Sequence, residues 1–370
     1  MVKPLQIKTD GHLYWLDLIR FLAAFAVMAC HFRGAFFVEY SALEPEQQNP
    51  LIFSFYFITR LGFEAVLIFF VLSGLLVGGR AMKRLSAGTF RIKSYVVDRA
   101  VRILLPLLAS LVLFLPIALY FHLPIKLTDW IGSLLSLQGI LTGGAFETLW
   151  SLSYEVWFYI LTCAIGIIIM KKEDSSTFKY YVGIALLVLS LLVFIKLWTA
   201  YLFVWIIGAI ALWRLPKPNK VVMLCMAFLS VALIVLLQLS SGSHFIPATI
   251  CSGALLRKCL IVLFGFVFSV FLQHAIQTSP NGNRFFLIIN KLGARLAAFS
   301  YTLYLTHVPV LKMLRELGAP KSAIIDAKSV GLYLLWLVIA MVVAYIMYYF
   351  FERNTPVVKK FVKRHLHISD

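Results

Sequence analysis

The sequence predicts an all-α, polytopic membrane protein with about ten transmembrane helices and both termini cytoplasmic. Three observations carry that fold class. Mean hydropathy is +0.91 and 61% of the 370 residues are hydrophobic, which excludes an ordinary water-soluble globule. Apolar segments recur that reach the twenty or so residues needed to cross a bilayer. The segments between them alternate between strongly basic and acidic or nearly uncharged, as the positive-inside rule requires. Lipid offers backbone polar groups no partner, so each span must be a helix.

Ten spans are legible: 14–34, 51–79, 100–121, 148–170, 180–198, 200–214, 220–239, 256–275, 297–316 and 329–352. They make one transmembrane domain over 13–356, with a cytoplasmic segment 1–12 before it and a basic cytoplasmic tail 357–370 after it. The formal net charge of +18 would suit nucleic acid if it formed one patch. Instead it gathers at 80–102 (Arg80, Lys83, Arg84, Arg91, Lys93, Arg99, Arg102), 171–179, 214–220, 284–295 and after 352, while 35–50 and 122–147 carry Glu39, Glu44, Glu46, Asp129 and Glu147. The charge therefore reports orientation in a lipid bilayer first and anionic-lipid contact second. No nucleic-acid partner is expected.

The first span holds LDLIRFLAAFAVMACHF, with Arg20 and His31 eleven residues apart. Eleven steps of 100° make three turns plus roughly 20°, so both share one helix face about 16 Å apart along the axis. Asp17, Ala24 and Val27 complete that stripe. A guanidinium and an imidazole inside a span are costly and mark function. Lys3 and Lys8 before the span, and VMAC at 27–30, faintly suggest a cleaved leader. Asp17 and Arg20 break what would have to be an apolar core, so the helix is read as retained.

In the second span, GFEAVLIFFVLSGLL sets Glu64 nine residues before Ser73, about 900° round a helix and so on opposite faces. They should not share a pocket; Gly74 reads as a close-packing position, and Ser73 as a backbone-bonded or cavity-facing hydroxyl. Arg99 and Arg102 open the third span at i and i+3, on one face of its first turn. Paired guanidinium groups beside a helix N-terminus suit a phosphate or pyrophosphate; ordinary positive-inside charge is the competing reading.

The fourth span begins TLWSLSYEVWFYI, placing Ser151, Glu155 and Tyr159 at i, i+4 and i+8. This polar stripe enters from the outer side and puts Glu155 level with His31. The two would form an acid/base or orienting pair, or a buried structural ion pair. Lys196 and the run through Trp213 leave the fifth and sixth spans short, with a tight hairpin between them. Arg257 and Lys258 fall near the outer end of the eighth, and Lys312, Arg315 and Lys321 beyond the ninth, as snorkelling anchors or acceptor contacts. The ninth, FSYTLYLTHVPVL, repeats polarity at Ser300, Tyr304 and His307, which read as a cavity face or as interhelical hydrogen bonding.

Five cysteines, at 30, 163, 225, 251 and 259, are scattered in apolar surroundings and read as small core residues. Among eight histidines no HxxxH or HExxH occurs, so no metal site is expected. No Walker or dinucleotide glycine motif appears, and no permanently bound cofactor is expected.

In order along the chain, these stretches resemble the membrane-bound acyltransferase 3 family. The family's Arg or Lys, ten residues, then His corresponds to Arg20 and His31; its phenylalanine-rich run ending in Ser-Gly to FFVLSG at 69–74; and its RxxR to Arg99 and Arg102. WSLSYE at 150–155 with Phe158 and Tyr159, SYTLYLTH at 300–307, and FFERNTP at 350–356 match further blocks. Pro106 stands one position later than the family's proline, and no proline follows Tyr159. The esterase-like extension of some members is absent from this sequence. The resemblance implies a multi-pass enzyme of the cell membrane, a bacterial inner or plasma membrane. It would move an acyl group, acetyl above all, from cytoplasmic acyl-CoA to a hydroxyl of an envelope or extracellular carbohydrate or glycoconjugate. Under that implication Arg99 and Arg102 hold donor phosphates and Arg20, steadied by Asp17, lines the donor channel. His31 is the base, oriented by Glu155, and Tyr304 and His307 donate to the oxyanion. Ser73, Ser151, Tyr159 and Ser300 support the cavity. The competing function is a transporter or flippase of a glycan precursor, to which polar stripes in ten helices would also be suited.

Overall fold

Helices stand at all ten expected places in the computed structural model, which describes residues 14–170, 177–213, 215–240, 253–278 and 284–368. The expected segment 1–12, part of the basic run at 171–179, Arg214 and Cys251 lie outside the described residues. The first span is α1 (Tyr14–Phe36). The second is a chain of pieces: α2 (Pro50–Thr59), α3 (Gly62–Ser73), a π-helical turn at Gly74–Gly78, and α4 (Gly79–Ser86). Then come α5 (Ile92–Tyr120), the short α6 (Leu127–Leu134), α7 (Trp150–Ile169), α8 (Thr177–Lys196) and α9 (Thr199–Ala211). The remainder are α10 (Lys220–Ser240), α11 (Gly253–Ala275), α12 (Arg284–Ala297), α13 (Ser300–Glu316), α14 (Ala327–Phe350) and α15 (Thr355–His365).

Among the described residues no named strand occurs, and eight helical stretches are long and apolar enough to cross a membrane. The chain is a multi-pass membrane protein. The two expected spans that fall short, α9 with 13 residues and α13 with 17 residues, are largely buried among their neighbours. A helix enclosed by protein need not match the hydrocarbon thickness, because its ends bond to protein.

Three sequence expectations change. The third span starts at Ile92, not near 100. Its charged first turns are helical, so Arg99 and Arg102 lie about two and three turns in and not at the helix N-terminus. Basic segments read as loop or tail form the amphipathic helices α12 and α15; alternating charge hides their apolar face from a hydropathy window. Cys225 and Cys259 are exposed, while Cys30 and Cys163 are half-buried. Facing lipid and facing the core look alike in an apolar sequence.

The core divides into two clusters. One joins α3, the π turn, α5, α7, α9 and α11 through residues such as Leu67, Phe70, Phe158, Trp205 and Phe264. The other joins α1, α2, α13 and α14 through Met28, Phe32, Phe36, Leu303 and Ala340. Helices α1 and α13 sit on the seam: Val27 and Tyr304 belong to the first cluster, Ala24 and Leu303 to the second. The polar stripe of α1 therefore runs along the boundary. Arg20 Nη2 reaches Ala297 O at 3.4 Å, and the His31 and His307 rings meet at 5.3 Å between centroids. Ala297 ends α12 directly before α13 starts, so these two contacts make α1 and α13 parallel neighbours.

At the π turn glycine lets α9 approach closely. A Cβ on Gly74 would lie 2.1 Å from Trp205 O, and one on Gly208 2.5 Å from Val71 O, so backbone touches backbone on both sides of the junction. Gly74→Ala should cost at least about 1–3 kcal/mol through overpacking, read as a lower unfolding midpoint in detergent. Gly34→Ala is the control. Its Cβ meets nothing within 4 Å, so it should be neutral or slightly stabilising. Equal midpoints for the two variants would remove the close-approach argument.

Candidate active site

A cavity of about 430 Å³ opens in the seam. Its polar lining comes from Arg20 of α1, Ser73 of α3, Arg80 of α4, Arg99 and Arg102 of α5, Ser151, Glu155 and Tyr159 of α7, Ser300, Tyr301 and Tyr304 of α13, and Lys359 of α15. Val66, Phe69, Phe70, Leu72 and Leu76 supply the apolar wall. Ser73 faces this cavity and accepts Trp205 Nε1 at 3.3 Å. Glu64 does not line it. Its buried carboxylate faces Arg257 and Arg60, as the helical phase of 64 and 73 requires.

Among the described residues the lining holds five cations and a single carboxylate. Arg20 Nη2 donates to Asp17 Oδ1 at 2.8 Å, which fixes one guanidinium edge and leaves Nε buried without a hydrogen-bond partner. Arg102 Nη1 stands 3.1 Å from Glu352 Oε1 and its guanidinium lies 5.6 Å over the Tyr301 ring. Glu352 is itself held, its Oε2 accepting Thr302 Oγ1 at 2.6 Å and Thr302 N at 3.1 Å. Arg99 lies 5.8 Å over Tyr95 and 5.6 Å over Tyr159. Aromatic faces steady that charge without neutralising it. The Tyr159 hydroxyl donates to Glu155 Oε1 at 2.5 Å.

Away from the arginines, Ser151 Oγ and Tyr304 Oη are hydrogen-bonded across α7 and α13, and Tyr304 Oη also donates to Thr148 O at 3.3 Å. His307 follows one turn on along α13, its ring 6.0 Å from that of Tyr304. It is fully buried and packs against His31, which is exposed. His307 Nδ1 lies 3.1 Å from Leu303 O. A carbonyl only accepts, so Nδ1 carries the hydrogen; the neutral ring then presents Nε2 as an acceptor, buried and without a hydrogen-bond partner.

Thus the structure gathers Arg20, Ser73, Arg99, Arg102, Ser151, Glu155, Tyr159, Ser300 and Tyr304 round one cavity, with Asp17 behind Arg20. His31 and His307 form a pair outside the lining, beyond the Ser151–Tyr304 bridge. The sequence placed Glu155 level with His31. In the structure Glu155 lies a turn from Ser151 toward the arginines, bonded to Tyr159, and the imidazole packed on His31 is that of His307. Helix periodicity fixed the face of each stripe but not how far α7 slides along α1. The Nδ1 bond to Leu303 O also narrows the part His307 can play, since it donates from Nε2 only once protonated.

Four residues of the site went unassigned in the sequence. Glu352 lay inside FFERNTP without a role, Arg80 and Lys359 were absorbed into positive-inside charge, and Tyr301 was hidden beside Ser300. A carboxylate ending the last apolar run, opposite a run of arginines, was the available signal for Glu352. Of the cations expected at outer helix ends, Arg257 lies 4.6 Å over Phe63, Lys258 lies 5.9 Å over Trp198 and Arg315 Nη1 donates to Ala35 O at 3.1 Å.

Residues 13–353 match the sequence pattern of the acyltransferase 3 family, an acyltransferase domain. The chain belongs to that family. No curated protein and no solved structure matches it significantly. Membership makes the protein a membrane acyltransferase. The match spans the cavity from α1 to Glu352, so almost every polar lining residue of this acyltransferase falls within it, and α15 with Lys359 lies beyond its end.

Proposed function

We propose that this acyltransferase moves an acetyl group from cytoplasmic acetyl-CoA, or another acyl-CoA, to a hydroxyl of an envelope or extracellular carbohydrate, with the basic end of the cavity facing the cytoplasm. The observation that carries the reading is the charge gradient along one cavity. Cations crowd one end, while the other closes on Ser151 and Tyr304 next to paired imidazoles. A donor whose phosphates cannot enter lipid would lodge them at Arg99 and Arg102 and extend its thioester toward the bridge.

The acceptor hydroxyl attacks the thioester carbonyl while His31 takes its proton. The C–O bond forms, the oxyanion is held by the Tyr304 hydroxyl once it turns from Thr148 O, and its collapse breaks the C–S bond. The leaving thiolate takes up a proton to give free CoA. His307, with Nε2 as its open acceptor, orients His31 or takes the proton onward. Glu155 acts through Tyr159 and Arg99 as a positioning residue on the donor side.

Purified protein, acetyl-CoA with a labelled acetyl group and an envelope glycan fraction should yield a labelled ester. Movement of glycan between vesicle leaflets with no ester formed would favour a transporter instead. Arg99→Gln should raise KM for acetyl-CoA by about tenfold to a hundredfold, the worth of one charge-assisted contact, with kcat changed far less. An unaltered KM would remove the phosphate seat.

A further inference from the structure

Helix α15 begins after the family match ends, yet it puts Lys359 into the cavity wall beside Arg80 and Arg99. Its placement is built, not incidental. Lys363, one turn on, stands 3.2 Å from Asp98 Oδ1 and donates to Ser94 Oγ at 2.8 Å. Those contacts clamp α15 along the first turns of α5. Lys359 Nζ stands 3.8 Å from the same Asp98 oxygen. Asp98 is thus shared, and its closer partner is Lys363.

Each cation of the lining has a different balance. Arg20 is offset by Asp17 and Arg102 by Glu352. Among the described residues Lys359 has the long half of a shared carboxylate, and its charge faces those of Arg99, Arg102 and Lys363. Such a like-charged arc costs folding free energy unless an anion completes it. Arg99 and Arg102 stand on α5 deeper than the clamp, while Lys359 comes from the helix capping the basic end. An acyl-CoA with its thioester directed toward Ser151 and Tyr304 leaves its adenosine, with the ribose 3′-phosphate, at that end.

We propose that Lys359 binds the ribose 3′-phosphate of the acyl-CoA, and that the Asp98–Lys363 clamp positions it, so that the tail helix sets preference for the 3′-phosphorylated donor. This rests on the acyl-CoA reading above. The test compares acetyl-CoA with acetyl-dephospho-CoA, which lacks only that phosphate, using the full-length protein. The wild-type protein should favour acetyl-CoA in kcat/KM by about tenfold. Lys359→Gln should bring the two donors close to equality by raising KM for acetyl-CoA alone, with kcat unchanged and the unfolding midpoint of the unliganded protein not lowered; Lys359→Arg should restore the preference. Lys363→Gln, acting through position, should lower the preference in part, with kcat preserved. A Lys359→Gln protein that still discriminates as the wild type does overturns the assignment while leaving the acyl-CoA reading intact. A wild-type protein that forms ester from neither donor overturns both.

Discussion

His31→Ala should reduce acyl transfer by about 10²–10⁴-fold, the range lost with a positioned general base, at unchanged abundance in the membrane. The second half of that expectation follows from exposure: His31 reaches the surface, so truncating it opens no cavity in the core. His307→Ala is a poorer experiment, since that ring is fully buried and its loss leaves a void. His307→Gln keeps volume and an acceptor, and should slow transfer less than His31→Ala does. Ester formation by the His31→Ala protein at the wild-type rate would end its assignment as the base.

Arg102 and Glu352 give the second large effect, and their burial is asymmetric. The Glu352 side chain is 2% exposed and that of Arg102 34% exposed. Arg102→Met strands a carboxylate where water cannot reach, at a cost on the order of 3–5 kcal/mol. Glu352→Gln strands a guanidinium that still faces the cavity, and glutamine can still accept from Thr302, so it should cost clearly less. Combining the two removes both charges and should recover most of the lost stability. KM for acetyl-CoA should nonetheless stay raised in every variant lacking Arg102. Unfolding midpoints in detergent, set beside donor KM, separate the structural part of this arginine from its binding part. Additive losses in the double variant would show that the two charges are not coupled.

How much of this was legible in the residues differs by level. The helices were, because an apolar run of twenty residues has few other fates. So was the face each polar residue occupies: Glu64 and Ser73 do point apart, and Ser151, Glu155 and Tyr159 do share one stripe. Depth was not. Whether Glu155 stands level with His31 or a turn away depends on how α7 is set across the cavity from α1, and that is decided by contacts distant in sequence, such as Ser151 with Tyr304. Helix boundaries in charged stretches were equally hidden, and with them the residues α15 brings to the cavity. A basic run reads the same whether it waits in solvent or lies along a neighbouring helix.

Glu352, the counterion of Arg102, follows α14 and lies 250 positions later in the sequence. Membrane proteins emerge and insert from the N-terminus, and a contact between remote positions waits until the later one has been synthesised. A nascent polypeptide that has not reached residue 352 therefore carries its arginines without the carboxylate that sets Arg102 in place. The basic end of the cavity is complete only once residue 352 has been made, so a copy released before it would leave Arg102 unbalanced.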